Sequence, residues 1–467
     1  MSTVPQNVEL LKNLHSLLTA HRPLFGQQRV YERVGWLVWG ELLAFGRHTV
    51  TQLLLAQGLA GEDWSAWYRL FSRGRFPAER AGAVLVRESL AHVGPDEVYV
   101  VAGDGTQTLR SSRKLEGAGW LRCLRTPPFR VGIHVAQRWF NGSWLVPEEQ
   151  GYSRAVPLYW QPAFTEKSSP VAHAPSKEWE AARDFLGWLK DQLHACGRAS
   201  QPLLMVADGG FDTLGLWKQL PAGVTLLARS AKNRVLYTLP APHSGRGRPR
   251  KYGERAPTPQ EVWQTRRGWR QLTLGVRGRE RHLQVKVQGP FLRQGAPDCP
   301  LMLLVVRGKD HAHTRRPPLP FLVNAVQDPA GHWTLPLPLE TLLCWAWQRW
   351  EIEVCHRELK TTFGLGHKQC SNPTAAVTSV QWSAWVYALL LLAGYRTWGL
   401  CGGPPVPTRW WSGAPRWSLA TLWRAYRAAL WGAHHFQPRG PRSPAGWPEN
   451  VPDSLALRNA AFAAMSP

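Results

Sequence analysis

The stretch Glu97 to Arg110, EVYVVAGDGTQTLR, decides the fold. Its first half, Val98 to Ala102, is a continuous apolar run, which is typical of a central strand covered on both faces. The run ends at Gly103, and Asp104 follows between two glycines that let backbone or substrate approach closely. We therefore expect a buried strand with a carboxylate at its end. Taken alone, the Asp-Gly pair is also ordinary turn chemistry.

A second apolar run with the same ending lies downstream, where Pro202 to Ala207 (PLLMVA) leads into Asp208. Turn and periodicity signals predict the other elements of this part. They are strands at Phe129 to Trp139 and Ser143 to Val146 separated by the hairpin signal Asn141-Gly142, helices at Ser176 to Cys196 and Leu214 to Leu220, and a strand at Val224 to Ala228. This order predicts an α/β fold with a ribonuclease-H-like mixed sheet. In that fold the first and fourth strands are neighbours, so Asp104 and Asp208 would lie at one edge.

A third stretch, Leu342 to Phe363 (LLCWAWQRWEIEVCHRELKTTF), has no Gly or Pro and is predicted to form one helix. At ~100° per residue, one helix face carries Glu353 as its single carboxylate. The residues around Glu353 on that face are basic: Arg349, His356, Arg357 and Lys360. Glu351 and Glu358 point away from this face and are the alternative acids. A solvated face with ion pairs one turn apart is the other interpretation.

The composition indicates a polyanionic partner. The 467 residues include 56 Lys and Arg against 32 Asp and Glu, a formal net charge of +24. Nucleic acid is the commonest partner for such an excess, although the arginine-rich bias of a GC-rich genome is an alternative cause. Seven scattered cysteines argue against a disulfide framework or a zinc site. The most apolar run, Val380 to Tyr395, is shorter than a bilayer span and is predicted to be a buried core helix.

Two further segments have basic residues that suit DNA. Near the N-terminus a glycine turn joins two predicted helices, the second with Arg69 and Arg73, which resembles a helix-turn-helix; any small helical bundle gives the same pattern. The loop Ser244 to Gly253 contains Arg-Gly-Arg-Pro, which resembles an AT-hook that inserts arginines into an A·T minor groove. A basic loop that touches phosphates is the alternative. The DNA-binding candidates in this loop are Arg246, Arg248, Arg250 and Lys251.

These signals predict a domain organisation in five parts. Residues 1–95 would form a helical DNA-binding domain, and 96–228 the first part of a ribonuclease-H-like catalytic domain. Residues 229–340, rich in Pro, Gly, Arg and short alternating runs, would form a β-rich insertion. Residues 341–400 would complete the catalytic domain. A tail rich in Pro, Trp and Arg would occupy 401–467, with one helix at Leu419 to Ala433.

The candidate catalytic and metal-binding residues are Asp104, Asp208 and Glu353. Hard oxygen ligands of this kind hold Mg²⁺ or Mn²⁺. Two such ions ~4 Å apart activate a water or a 3′-hydroxyl and stabilise the leaving oxygen in phosphoryl transfer. We therefore expect two Mg²⁺ ions as cofactors, with Mn²⁺ able to substitute. The three carboxylates are far apart in sequence and need only converge in space.

With these acids in this order, the sequence resembles bacterial insertion-sequence transposases of the DDE class. The resemblance is to the branch with a β-rich insertion and the helix signature Y-x2-R-x3-E-x6-K. Arg349, Glu353 and Lys360 match the Arg, Glu and Lys positions with the right gaps, and Ala346 stands at the Tyr position. The resemblance extends over roughly Glu97 to Tyr395.

The resemblance implies a reaction and a set of roles. Each end of the element would be hydrolysed, and the freed 3′-hydroxyl would attack target DNA without a covalent protein intermediate. Asp104 and Asp208 would hold the metals, Glu353 would complete the second metal site, and Arg349 and Lys360 would hold phosphates. The partner would be double-stranded DNA, both the terminal inverted repeats and the target, bound by a homodimer. The resemblance also implies a bacterial cytoplasmic location at the nucleoid, with no membrane partner.

Two other functions fit the same residues. One is a DNA-binding protein derived from a transposase that no longer cuts DNA. The other is a nuclease on the same fold that hydrolyses strands and does not join them.

Overall fold

A computed structural model describes residues 6–123, 131–168, 173–242, 245, 248–307, 317–404 and 416–432. The helices are α1 (Gln6–Ala20), α2 (Gln28–Leu43), α3 (Val50–Leu55), α4 (Ser65–Ser72), α5 (Ala78–Leu90), α6 (Glu178–Ala195), α7 (Leu214–Lys218), α8 (Pro259–Gln264), α9 (Leu339–Gln348), α10 (Trp350–Thr361), α11 (Pro373–Trp398) and α12 (Leu419–Gly432). The strands are β1 (Tyr99–Leu109), β2 (Gly119–Arg122), β3 (Ile133–Leu145), β4 (Ala155–Pro162), β5 (Leu203–Ala207), β6 (Val224–Arg229), β7 (Tyr237–Thr238), β8 (Arg270–Val276), β9 (Arg279–Arg293), β10 (Ala296–Arg307), β11 (Leu319–Asn324), β12 (Val326–Gln327) and β13 (Trp333–Thr334).

A mixed sheet of eleven strands forms the centre of the described part of the chain. Its order is β2-β3-β1-β5-β6-β11-β10-β9-β7, with β4 paired to β3 and β8 paired to β9. Strands β1, β5 and β6 are parallel, and β3 is antiparallel to β1. Every residue of β5 is buried, as its apolar run predicts. The predicted neighbours β1 and β5 do pair, and the ribonuclease-H-like α/β fold is confirmed.

The strands that follow β6 continue this sheet. Strand β11 is antiparallel to β6, with Phe321 opposite Arg229 and Val323 opposite Leu227. Strands β10 and β9 then extend the sheet outward. Strands β7 to β11 of the segment predicted to be a β-rich insertion therefore belong to the same sheet as β1 and β5, whereas β12 and β13 pair only with each other.

The predicted hairpin at Asn141-Gly142 is wrong, because both residues lie inside the continuous strand β3. Tertiary packing overrides the local turn signal. A Cβ atom on Gly142 would lie 2.2 Å from the ring of Phe185 in α6, so only glycine lets that helix pack this closely. Asn141 is opposite Asp104 in the β1–β3 ladder. The two strands predicted on either side of this hairpin are one strand, β3, and the strand that pairs with it next along the chain is β4.

Strand β1 is longer than predicted, because it runs through Asp104 and on to Leu109. The parallel pairing with β5 ends at Gly103 opposite Ala207. The antiparallel pairing with β3 continues, with Leu109 opposite Ala136. Asp104 therefore lies inside β1, directly after the point where its pairing with β5 ends.

The predicted single helix from Leu342 to Phe363 is divided at Arg349 into α9 and α10. The Arg349 amide bonds the Trp345 carbonyl at 3.0 Å, but the Ile352 amide bonds the Arg349 carbonyl three residues back at 3.1 Å. A hydrogen bond to the third residue back, in place of the fourth, closes a tighter 3₁₀-type turn, and the two helices separate there. Just before it, the Gln348 side chain is buried and donates to the Gly151 carbonyl at 2.9 Å.

Helix α11 is the core helix that its apolar sequence predicts. It is long and apolar enough to cross a membrane, but most of its apolar window is buried inside the protein. Helices α1, α4, α5 and α12 and strand β4 pack against it. A buried ion pair adds to this contact, because Glu41 of α2 lies 2.6 Å from the Lys368 ammonium, just before α11. Arg246 and most of the predicted tail lie outside the described residues.

Candidate active site

Two aspartates lie side by side where the parallel pairing of the neighbouring central strands β1 and β5 ends. Gly103 of β1 is opposite Ala207 of β5, and Asp104 and Asp208 are the next residues along these parallel paths. Asp208 begins a short turn, where its Oδ1 atom accepts a hydrogen bond from the Gly210 amide at 2.8 Å. Both residues are partly exposed at the same sheet edge. The two strand-end acids predicted from the apolar runs are thus brought together by strand register.

Glu353 is the acid of α10 that points outward. Its side chain is 35% exposed and its Oε1 atom lies 2.5 Å from Nη2 of Arg349, one turn earlier. Glu351 and Glu358 instead face the interior, with side chains 4% and 13% exposed.

The two inward acids already have partners. Glu358 is bonded by Arg154 at 2.5 Å and by the Tyr387 hydroxyl at 2.6 Å. Glu351 lies between Arg277 and Arg416, each at 3.6 Å. These two glutamates therefore hold α10 in position, and Glu353 is the one turned toward solvent.

The electrostatics of Asp104 link the three acids. The pKa of Asp104 is raised to about 7, chiefly by burial and then by the negative charge of Asp208, with a smaller contribution from Glu353; Arg349 opposes the rise. Glu353 is thus near enough to Asp104 to influence its proton. Negative charge of this kind at a sheet edge is what a divalent cation neutralises.

The donor set fits Mg²⁺ or Mn²⁺ in kind, since it offers carboxylate oxygens from three separate elements. Within the described ranges, however, no three His, Cys, Asp or Glu side chains are arranged as a group that could hold a metal ion. Glu353 is instead paired with Arg349. Glu353 would have to leave that pair to join the other two carboxylates.

His356 lies in the interior and not on a DNA-facing surface. Its Nε2 atom is 3.0 Å from Nδ2 of Asn141, and its Nδ1 atom is 3.6 Å from Oδ2 of Asp104. Burial, with Lys360 and Arg349 nearby, lowers the pKa of His356 to about 3, so the ring is neutral at pH 7. We therefore correct its predicted role: a buried neutral imidazole does not grip a phosphate, and His356 packs beside Asp104.

The other predicted DNA contacts have the exposure that such a role needs, to different degrees. Arg73 and Arg357 are exposed, and Arg69 and Lys360 are partly exposed. The Nε atom of Arg69 donates to the Ser65 carbonyl at 3.2 Å. In the basic loop, the candidate residues that the structure describes are all exposed: Arg248, Arg250 and Lys251.

Sequence reasoning missed two features next to the acids. Glu178 at the start of α6 lies over Gly105, where a Cβ atom would be 2.7 Å from the carboxylate. Burial and the charge of Asp208 raise the pKa of Glu178, and Arg138 opposes them. No local signal marks Glu178, because packing of α6 against the sheet brings it there.

The second missed feature is a basic and aromatic pocket of about 270 Å³ beside α9 and α10. It is lined by Arg229, Arg277, Arg281 and Arg349, by Trp347 and Trp350, and by Ala346 together with apolar residues of the sheet. Ala346, which the resemblance placed at the Tyr position of the signature, is one of the lining residues. The arginines come from separate parts of the fold, which sequence spacing does not reveal.

Comparison with known proteins identifies a family. The sequence model of the family described as DDE superfamily endonuclease matches residues 24–286, more than half of the chain. The match includes Asp104 and Asp208 and ends before Glu353. No curated protein matches the chain.

Proposed function

The chain belongs to the DDE superfamily endonucleases, and from that membership we propose that it is a cut-and-paste DNA transposase. The proposed reaction is metal-dependent cleavage at the ends of a transposon followed by strand transfer into target DNA. The single observation that carries the proposal is the strand register that brings Asp104 and Asp208 side by side, one residue beyond Gly103 and Ala207, with Glu353 close enough for its charge to raise the Asp104 pKa.

In the proposed first step, water attacks a phosphodiester at the element end. The P–O bond to the neighbouring nucleotide breaks and leaves a 3′-hydroxyl on one side of the cut and a 5′-phosphate on the other. In the second step that 3′-hydroxyl attacks a target phosphodiester, forms a new ester bond and releases a target 3′-hydroxyl. No net oxidation occurs, and neither step needs a protein nucleophile.

Asp104, Asp208 and Glu353 are the residues that we propose hold two Mg²⁺ or Mn²⁺ ions. When bound, such ions supply an activated nucleophile and stabilise the leaving oxygen. Asp104 is partly buried on a strand, so its carboxylate is held by the sheet. Glu353, on the exposed face of α10, would move into the site only as its bond to Arg349 opens.

Arg349 is the proposed link between acid and substrate. In the described structure its guanidinium neutralises Glu353, and a DNA phosphate is the natural replacement partner for the cation. Phosphate binding would free the carboxylate, so DNA and metal would load together. Lys360, Arg357 and the exposed loop cations would add phosphate contacts, in keeping with the net charge of +24. We propose that two protomers act together to bring two element ends to one target.

The test is a reaction of the purified protein with a duplex that carries the inverted repeats flanking its gene, a supercoiled target plasmid and Mg²⁺. The proposal predicts cleaved ends and products in which those ends are joined to the plasmid. Cleavage without joining would instead indicate a nuclease. A gel shift without cleavage at any Mg²⁺ or Mn²⁺ concentration would indicate a DNA-binding protein that no longer cuts.

A further inference from the structure

The buried carboxylate of Asp212 lies four residues beyond Asp208, at the end of the same turn. Its side chain is 0% exposed. One oxygen accepts hydrogen bonds from the Trp217 indole at 2.9 Å and the Arg293 guanidinium at 2.7 Å. The other accepts from the Ser230 hydroxyl at 2.7 Å and Arg234 at 2.6 Å. Each oxygen therefore has two donors, and the carboxylate cannot shift without breaking several bonds.

The four donors come from different parts of the fold. Trp217 is in α7, Ser230 and Arg234 follow β6, and Arg293 is in β9. The same Arg293 nitrogen also donates to the Asp212 backbone carbonyl at 3.0 Å. This network therefore ties the end of the turn to a strand from the far side of the sheet.

The turn from Asp208 to Asp212 needs such an anchor. It contains Gly209 and Gly210, both exposed, and two adjacent glycines give a backbone many accessible conformations. Its beginning is held by the bond from the Gly210 amide to Asp208 itself. Between the glycines and Asp212, Phe211 is buried and packs on Phe140 with ring centroids 5.6 Å apart. The fixed points of the turn are thus Phe211 and Asp212.

We propose that Asp212 is a positioning residue: its carboxylate ties the turn that carries Asp208 to Arg293 of β9, and so sets where the Asp208 carboxylate lies. The role of Asp208 as a metal ligand rests on the proposed function, whereas the anchoring of the turn does not. Neighbouring groups that orient a metal ligand typically change metal affinity by ~10–100-fold when they are removed.

The experiment compares Asp212→Asn with Asp184→Asn in the full-length protein. Asp184 is a control because its side chain is 52% exposed on α6, in an ion pair with Arg183. Three quantities are measured: hydrogen exchange of the amides at 209–211, Mn²⁺ affinity by electron paramagnetic resonance, and affinity for end DNA. For Asp212→Asn we expect the Mn²⁺ dissociation constant to rise by ~10-fold or more and these amides to exchange several-fold faster, with unchanged DNA affinity. Asp184→Asn should match the wild type in all three.

A folded Asp212→Asn protein with wild-type exchange and wild-type Mn²⁺ affinity would overturn the proposal. If this variant does not fold, Ser230→Ala and Trp217→Phe each remove one donor and take its place. Either should speed exchange at 209–211, and wild-type exchange in both would overturn it equally. If Asp208→Asn leaves Mn²⁺ affinity unchanged, the proposed function has failed at that acid, and the exchange measurement alone decides whether Asp212 anchors the turn.

Discussion

The Nη2 atom of Arg349 lies 2.5 Å from the Oε1 atom of Glu353, within one helical turn at the start of α10. The acid proposed to complete the metal site is therefore neutralised by the residue that immediately precedes its own helix. In the proposed function this ion pair keeps Glu353 from the metal site until a DNA phosphate takes the Arg349 guanidinium. The observed contact of Arg349 with Glu353 and its proposed contact with DNA can be separated by measurement.

We expect Arg349→Gln to have opposite effects on metal binding and on cleavage. Removing the cation frees Glu353 and removes a repulsive charge, so Mn²⁺ should bind several-fold more tightly in the absence of DNA. Cleavage of end DNA should slow by ~10-fold or more, because the variant cannot form the charge-assisted hydrogen bond to phosphate. Mn²⁺ titration and single-turnover cleavage measure the two effects. Arg183→Gln, which breaks the ion pair with Asp184 on α6, should change neither quantity, and unchanged Mn²⁺ affinity in Arg349→Gln would contradict this role.

The raised pKa of Asp104 predicts a pH dependence of stability in the absence of metal. The pKa of this carboxyl is about 7 in the folded protein against an ordinary 3.8. Between these values the folded state binds a proton more tightly than the unfolded state, so the free energy of unfolding falls as pH rises. Asp104→Asn removes this loss and should stabilise the protein at pH 8 by ~1–4 kcal/mol, with little difference near pH 4.

Denaturant unfolding of the metal-free protein at the two pH values measures this difference. Added Mg²⁺ should raise the stability of the wild type at pH 8 and raise that of Asp104→Asn much less. A variant with the same pH dependence as the wild type would show that Asp104 is not the titrating group.

Close packing at Gly142 predicts a large difference between two glycine substitutions. A Cβ atom at Gly142 would meet the Phe185 ring at 2.2 Å, whereas at Gly187 in α6 nothing lies within 4 Å. Gly142→Ala should lower the free energy of unfolding by ~1–3 kcal/mol. Gly187→Ala should be neutral or raise it by up to ~1 kcal/mol, because alanine favours a helix. Equal effects in chemical unfolding would contradict the assignment of Gly142 to the interior of β3.

The exposed cations of the loop predict a salt-dependent contribution to DNA binding. Replacing Arg248, Arg250 and Lys251 by Ser should reduce the slope of log affinity against log salt by about 0.9 for each phosphate that these side chains neutralise in the wild type. Fluorescence anisotropy over a range of NaCl concentrations measures the slope. An equal decrease in affinity for A·T and G·C duplexes indicates binding to phosphates, and a decrease confined to A·T duplexes indicates the minor groove. An unchanged slope on both would remove this loop from the DNA-binding surface.

Sequence reasoning succeeded where the signal was a long apolar run. The runs Val98 to Ala102 and Pro202 to Ala207 each begin one residue before the central strands β1 and β5, whose pairing follows from the order of elements. It failed at Asn141-Gly142, because a local turn signal cannot register that Phe185 needs the space above Gly142. The helix face predicted for Glu353 agrees with its outward direction.

The same reasoning wrongly placed His356 among the DNA contacts, because an angle on a helical wheel does not say which neighbours cover a residue. Glu178 and the arginines around Ala346 are brought to the site by tertiary packing, and spacing in the sequence carries no trace of them.

The most direct test of the central claim is Mg²⁺-dependent cleavage of end DNA by single conservative variants of the three acids. Asp104→Asn, Asp208→Asn and Glu353→Gln should each abolish cleavage and leave DNA affinity nearly unchanged, because each removes an oxygen ligand without removing a cation. Asp184→Asn and Glu340→Gln, at exposed ion pairs, should cleave as the wild type does. Retained cleavage in Glu353→Gln, together with its loss in a folded Glu358→Gln protein, would contradict the account.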